Sequence, residues 1–137
     1  MQGDDQLSNH YTEIDGYKLT DFIHEFPFYI GNIMKYAWRA PYKNGIDDTI
    51  KLLDYLDMSH YWWVNYDLSD RATTILSEIS SCDFYDKTSG SDNVHRKCIA
   101  SVAEWILNSE GTGGIDYESQ KNMILSVASL QVNLFNK

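Results

Sequence analysis

Apolar residues recur at intervals of three and four along most of the chain, which is the spacing of amphipathic helices. In the helix that we predict from Ile46, this spacing is kept by Ile50, Leu52, Leu53, Leu56 and Met58. In the last predicted helix it is kept by Met123, Ile124, Val127, Leu130 and Leu134. The two-residue alternation of strands is weak throughout the sequence. The pattern therefore predicts an all-α protein, a compact bundle of about five or six helices.

Prolines, glycines and capping residues predict where the helices begin and end. Thr20 is a candidate N-cap of a short helix, Pro41 ends the second helix, and Ser69 is a candidate N-cap of the fourth. The predicted helices are 21–26, 28–40, a helix from 46 whose pattern can continue to 63, 70–80, 94–107 and 117–135. The predicted loops and turns are 10–17, 42–45, 81–93 and 110–114.

The 137 residues are enough for one domain with a sizeable core. Residues 1–9 are polar and acidic and predict a flexible N-terminus, which leaves 10–137 as a single helical domain. There is neither an 18-residue apolar run nor the apolar region of a signal peptide, so we expect a cytoplasmic protein. Cys82 and Cys98 match no zinc spacing, and we expect both to be free thiols.

The positive charges are concentrated in one part of an acidic protein. The net charge of −9 disfavours general binding to nucleic acid or to an anionic membrane. Four of the 11 Lys and Arg residues nevertheless lie within 17 residues, namely Lys35, Arg39, Lys43 and Lys51. A local basic site on an acidic protein favours a small anionic ligand over a polyanion.

The second predicted helix places several polar groups on one face. Residues at intervals of three, four and seven share a helix face, and here they are Asn32, Lys35, Tyr36 and Arg39. The remaining apolar positions of this helix can supply the packing surface, namely Ile33, Met34, Ala37 and Trp38. Two cations beside hydrogen-bonding groups suit a phosphate. The alternative is a solvated helix face with charge pairs four residues apart.

From His10 to Leu56 the order and spacing of residues resemble the phage SaV-like family. The positions that match its pattern are His10-Tyr11, Gly31-Asn32, Lys35-Tyr36, Arg39, Lys43, Asp48, Lys51 and Tyr55-Leu56. Thr49, Leu52 and Asp54 stand where that family tends to have Leu, Ala and Trp. On this resemblance, residues 10–66 form a SaV-like core and residues 67–137 a C-terminal helical extension.

One group in that family resembles a phage nucleotide kinase that lacks a P-loop and forms a large homo-oligomer. The resemblance implies phosphoryl transfer between a nucleoside triphosphate and a deoxynucleoside monophosphate in an infected host cell. The catalytic candidates are Lys35, Arg39 and His10. The nucleotide-binding candidates are Asn32, Lys35, Tyr36, Arg39, Lys43, Lys51 and Tyr11. No residue is assigned to a metal, and the cofactor stays open with Mg²⁺ as a candidate.

Several of these residues also have structural interpretations. For Gly31 we favour a tight helix contact over close approach of a ligand. For Asp48 we favour an ion pair with Lys51 three residues on, over metal binding. His10 is either a general acid or base or a loop residue that packs over the core. A core or interface position is favoured over base stacking for the aromatic residues Tyr61, Trp62, Trp63 and Tyr66.

Two other functions stay open. A MazG-like nucleotide pyrophosphohydrolase needs clustered carboxylates for Mg²⁺, typically Glu-x-x-Glu and Glu-x-x-Asp on facing helices. The nearest approach in this chain is Asp54 and Asp57. A non-enzymatic phage protein could instead bind a host factor through its aromatic residues. The sequence has no Walker A motif, so any nucleotide site must be built without a P-loop.

Overall fold

The computed structural model describes residues 13–42, 45–58, 66–110 and 117–135. Within these residues the chain forms six α-helices and a few short 3₁₀ turns. The helices are α1 (Phe28–Arg39), α2 (Ile46–Met58), α3 (Asp70–Ile79), α4 (Cys82–Tyr85), α5 (Gly90–Ser109) and α6 (Tyr117–Phe135). The all-α prediction is confirmed. None of the described helices is long and apolar enough to cross a membrane.

The longest helix, α5, packs against α1, α3, α4 and α6, while α2 packs against both α1 and α6. The predicted packing surface of α1 is confirmed, since Ile33, Met34, Ala37 and Trp38 are all fully buried. Trp105 and Ile106 of α5 are buried in the same core. Because α1 gives one side to this core, its other side is left to carry polar groups.

The segment before α1 is not the α-helix predicted over 21–26. It forms two 3₁₀ turns, Leu19–Asp21 and Ile23–Glu25, and Thr20 lies inside the first turn rather than at its cap. Leu19 and Phe22 are both buried, and residues three apart lie above one another in a 3₁₀ turn. The Phe22 ring packs 5.9 Å from that of Trp38, which explains why tertiary packing overrides the local helix signal here.

Residues 81–93 are not the loop that their Ser, Asp and Gly content predicts. They contain α4 and the first turn of α5, which starts at Gly90 rather than at residue 94. Phe84 is buried and anchors α4. Asn93 Nδ2 donates to the carbonyls of Tyr85 at 2.8 Å and Thr88 at 3.2 Å. The polar residues of this segment therefore satisfy helix ends rather than form an open loop.

The predicted N-cap Ser69 is confirmed, and it also joins two parts of the fold. Its Oγ accepts a hydrogen bond from the Ala72 amide at 3.1 Å. The Glu25 carboxylate accepts from the Ser69 amide at 2.8 Å and from the Ser69 Oγ at 2.7 Å. These bonds to the charged form lower the pKa of Glu25. The start of α3 is thereby tied to the 3₁₀ turns that precede α1.

The turn at Asp15 and Gly16 is held to α5 by charge. Asp15 has a φ of 53°, a conformation that is uncommon outside glycine. Its carboxylate contacts the Arg96 guanidinium and lies 2.7 Å from Lys87 Nζ. The bonds to Arg96 and Lys87 lower the pKa of Asp15 to about 2. The two cations therefore stabilise the carboxylate that this turn presents.

His95 of α5 bonds to the C-terminal end of α1. Its Nε2 lies 2.9 Å from the carbonyl oxygen of Trp38, which belongs to the last turn of α1, where carbonyls rely on donors from outside the regular helix. The side chain is buried, and burial lowers the pKa of His95 below its usual 6.5. The neutral imidazole therefore donates to this carbonyl through Nε2.

We predict that the free energy of unfolding falls as pH is lowered below about 6.5. Below pH 6.5 the histidine of the unfolded chain binds a proton, whereas the buried His95 of the folded chain stays neutral. Each further decrease in pH therefore favours the unfolded state and lowers the free energy of unfolding. The slope from this residue approaches at most about 1.4 kcal/mol per pH unit. Urea titrations at pH 7.5, 6.5 and 5.5 measure it. The slope should diminish in His95→Gln and persist in His24→Gln, whose histidine is exposed. An equal slope in both variants contradicts the assignment.

Candidate anion-binding site

The four polar residues predicted to share a face of α1 do so, but the face has two edges with different neighbours. Asn32 and Lys35 are partly exposed and line a pocket beside the 3₁₀ turns. Tyr36 and Arg39 are buried, with 9% and 8% of their surface exposed, and contact residues of α2. The face is therefore split between a pocket and a helix interface because α2 packs along one side of α1.

Arg39 is not a solvent-facing clamp but half of a buried ion pair. Its Nε lies 3.2 Å from Asp48 Oδ2 and its Nη2 lies 3.3 Å from Asp48 Oδ1. The carboxylate is fully buried. This bidentate geometry is the strong form of an Arg–carboxylate interaction.

The pair of Arg39 and Asp48 replaces the ion pair that we predicted between Asp48 and Lys51. Asp48 faces inward toward α1, whereas Lys51, one turn further along α2, is exposed. A buried guanidinium needs a charged partner, and Asp48 is the carboxylate that α2 brings to it. The contact between α1 and α2 therefore determines the partner of Asp48, rather than the spacing of three residues between Asp48 and Lys51.

Three cations surround the ring of Tyr36. Lys35 Nζ lies 4.8 Å, Arg39 Cζ 5.0 Å and Lys51 Nζ 5.7 Å from the ring centroid. Each distance is within the range of a cation–π interaction. Asp48 neutralises Arg39, and no carboxylate lies within ion-pair distance of Lys51 among the described residues. Within the described residues the site therefore brings three cations and one buried carboxylate together on an acidic protein.

An aromatic cluster adjoins these cations. Tyr55 of α2 stacks on Tyr36 with centroids 5.8 Å apart and an angle of 23° between the rings. Tyr29 also contacts Tyr55, and Phe28 contacts both Tyr29 and Tyr55 edge-on. Phe28 is 68% exposed. From the sequence we assigned none of Phe28, Tyr29 and Tyr55 to the site. The seven-residue spacing of Tyr29 and Tyr36 is a signal that places Tyr29 on the same face.

A pocket of about 260 Å³ opens on the other edge of the α1 face. The 3₁₀ segment contributes apolar side chains, among them Ile23 and Phe26. The α1 side contributes Phe28, Asn32 and Lys35. Because Lys35 lines the pocket and also lies against Tyr36, the pocket and the cation cluster are continuous.

Gly31 also lines the pocket, and it does not make the tight helix contact that we favoured for it. A Cβ added at this position would lie 3.8 Å from the Phe26 Cβ and 3.9 Å from the Ile23 Cγ1. These are ordinary van der Waals distances, so the position has room for a Cβ. The space that Gly31 leaves belongs to the pocket.

The other residues that the sequence singled out lie in the core, on the surface or outside the residues that the structure describes. His10, Tyr11, Lys43 and the aromatic residues 61–63 lie outside the described residues. Tyr66 is in the core, as predicted, and donates its hydroxyl to the Ile106 carbonyl at 2.6 Å; burial raises its pKa. Asp54 and Asp57 are exposed on α2, and no group of carboxylate, His or Cys side chains that could hold a metal occurs in the described parts of the chain. Both cysteines are free, Cys82 exposed and Cys98 buried.

The fold and the site define an all-α protein with a cationic, aromatic surface on its first two α-helices. In a comparison with protein families, residues 6–57 match the family described as "protein of unknown function (DUF3310)". The match covers less than half of the chain and includes every residue that we predicted for the site. Neither the curated proteins nor the solved structures contain a match to this chain.

We predict that removing one partner of the Arg39–Asp48 pair destabilises the fold more than removing both. Arg39→Met leaves a buried carboxylate without its cation and should cost about 3–5 kcal/mol of unfolding free energy. The double variant Arg39→Met with Asp48→Leu removes both charges and should recover most of that loss. Chemical denaturation of the two single variants and the double variant gives the coupling energy.

A surface pair provides the matched control for this cycle. Arg71 Nη2 lies 3.5 Å from Asp21 Oδ1, and 69% of the Arg71 side chain is exposed. Arg71→Met should therefore change the unfolding free energy by less than about 1 kcal/mol. Additive losses in the Arg39 and Asp48 variants, with no recovery in the double variant, contradict the buried pair.

Proposed function

We propose that this protein binds nucleotides through the α1–α2 surface and acts as a P-loop-free nucleotide kinase that phosphorylates a deoxynucleoside monophosphate. The observation that supports it best is the convergence of Lys35, Arg39 and Lys51 on the Tyr36 ring, with Asp48 as the compensating carboxylate. Three cations gathered around one ring on a protein of net charge −9 favour a compact anion such as a phosphate.

Phosphoryl transfer suits this arrangement because it asks the protein mainly for positioning and for cations that stabilise the charge of the transferred group. In our proposal Lys35 and Lys51 contact the phosphates. Arg39 directs two of its nitrogens to Asp48, and a guanidinium retains further N–H donors beyond those two. Arg39 therefore orders the site, with its charge compensated by Asp48, while His10 stays a candidate for proton transfer.

Mg²⁺ stays a candidate cofactor within this proposal. The ion is commonly held by one or two carboxylates together with the phosphates of a nucleoside triphosphate. The described residues contain no group of three metal-binding side chains, and Asp48 is committed to Arg39. In this proposal Mg²⁺ would be carried mainly by the phosphates of the donor. The pyrophosphohydrolase alternative has no carboxylate cluster among these residues to support it.

We predict that Lys35→Gln and Lys51→Gln each weaken nucleotide binding about tenfold or more, because a hydrogen bond to a charged group is worth about 1.5–3 kcal/mol. Isothermal titration calorimetry with deoxynucleoside monophosphates and triphosphates measures the affinities. Lys97→Gln is the matched control for Lys51→Gln, since Lys97 is also an exposed lysine beside a tyrosine ring, at 5.6 Å from that of Tyr85. Unchanged affinity in both site variants contradicts the proposal.

The same variants test the reaction itself. Each deoxynucleoside monophosphate is incubated with several triphosphate donors, with and without Mg²⁺, and the products are separated by anion-exchange chromatography. Diphosphates formed by the wild-type protein and by Lys97→Gln, and diminished in Lys51→Gln, support phosphoryl transfer at this site. Monophosphate and pyrophosphate released from a triphosphate alone contradict the kinase and favour a pyrophosphohydrolase. An unchanged mixture contradicts both reactions.

The proposal includes a homo-oligomer, and α6 offers a surface for it. From Asn122 to Phe135 the helix carries no charged residue, although the protein is strongly acidic. Met123 and Leu130 lie two turns apart on this helix and are 52% and 55% exposed. Two copies of the same acidic chain repel one another except where their contact surfaces are uncharged, so this face favours association with a second copy.

We predict that Leu130→Glu and Met123→Glu lower the molar mass of the assembly. A carboxylate at either position would be brought against an apolar or like-charged surface of the second copy, which is unfavourable. Light scattering coupled to size-exclusion chromatography measures the mass. The control is Asn122→Asp, which adds a negative charge at an exposed position of the same helix, about a quarter turn from Met123, and leaves the apolar positions intact. A monomeric wild-type protein contradicts this part of the proposal without affecting nucleotide binding.

A further inference from the structure

The pocket beside α1 is lined at one side by Phe28, an aromatic residue that is not buried in the core. Phe28 is the first residue of α1, and 68% of its surface is exposed. Its ring is held by edge-on contacts with Tyr29 at 5.3 Å and Tyr55 at 6.2 Å between centroids. Neither contact is a parallel stack. An exposed aromatic ring held in place by its neighbours is suited to stacking against a planar ligand.

We propose that this pocket binds the base of the nucleotide and that Phe28 stacks on it. This inference rests on the proposed function, because it takes the phosphate to lie at Lys35 and Lys51. Phe28 and Lys35 are seven residues apart on one helix face, which is about 10 Å along the axis. A nucleoside monophosphate spans such a distance between its base and its phosphate.

The size and the polar groups of the pocket also favour a base. Its volume of about 260 Å³ lies just below the range of about 300–1,000 Å³ typical of sites for drug-sized ligands. It therefore accommodates a single ring system better than a whole nucleotide. Asn32 and Thr20 line it and provide the hydrogen-bonding groups that can meet the edge of a base, while the remaining surface is mostly apolar.

Gly31 lets the pocket be filled without disturbing the helix. Its backbone has no left-handed conformation to preserve, and a Cβ meets its neighbours at ordinary distances. Gly31→Ala should therefore fold and gain helix stability. Gly31→Leu places a larger side chain where the base is expected and leaves the lysines unchanged.

The test compares nucleotides with a ligand that lacks the base. Deoxynucleoside monophosphates and deoxyribose 5-phosphate are titrated into the wild-type protein, Phe28→Ala, Phe28→Tyr and Gly31→Leu. Removing one base–aromatic stack should weaken nucleotide binding roughly 5- to 150-fold. We expect this loss in Phe28→Ala and Gly31→Leu, with deoxyribose 5-phosphate binding unchanged and Phe28→Tyr close to wild type.

The outcomes separate this inference from the proposed function. Nucleotide binding that is lost in Lys51→Gln but unaffected in Phe28→Ala and Gly31→Leu overturns the base pocket and leaves the phosphate site standing. Equal losses for nucleotides and deoxyribose 5-phosphate in Phe28→Ala overturn it as well, because the effect then does not depend on the base. A wild-type protein that binds no nucleotide overturns both proposals.

Discussion

The ion pair between Arg39 and Asp48 is the interaction on which the arrangement of α1 and α2 depends. It joins the last residue of α1 to the third residue of α2 across the short connection between the two helices. Both side chains are buried, so neither charge can separate from the other without a large cost in free energy. The relative placement of the two helices is therefore constrained, and with it the position of Tyr36 between the cations of both.

Local patterns predicted much of this structure because they act within single elements. The buried side of α1, the cap at Ser69 and the bounds of α6 all follow from helical spacing and from the chemistry of helix ends. The polar face of α1 was predicted for the same reason. Spacing along one helix specifies which residues share a face, but it does not specify which neighbour each residue of that face meets.

The features that the sequence did not reveal are those that need contacts between elements. Arg39 was placed on a phosphate-binding or solvated helix face because no pattern along α1 shows that Asp48 will be packed against it. The pocket is lined in part by the segment that forms 3₁₀ turns instead of the predicted helix, where Leu19 and Phe22 are buried. Phe28 becomes a candidate ligand-binding residue only once its position in the lining of that pocket is known. In each case a distant partner outweighed a local preference.

Two helices beyond the family match, α5 and α6, make polar contacts next to the two residues of the ion pair. His95 bonds to the carbonyl of Trp38, the residue before Arg39, and Gln131 Nε2 donates to Thr49 Oγ1 at 3.3 Å, beside Asp48. α5 and α6 thus each make a buried polar contact next to one partner of the pair. A buried polar contact loses much of its stabilisation when one partner moves, so these helices hold the pair more specifically than apolar packing alone. These two contacts connect the candidate site on α1 and α2 to α5 and α6.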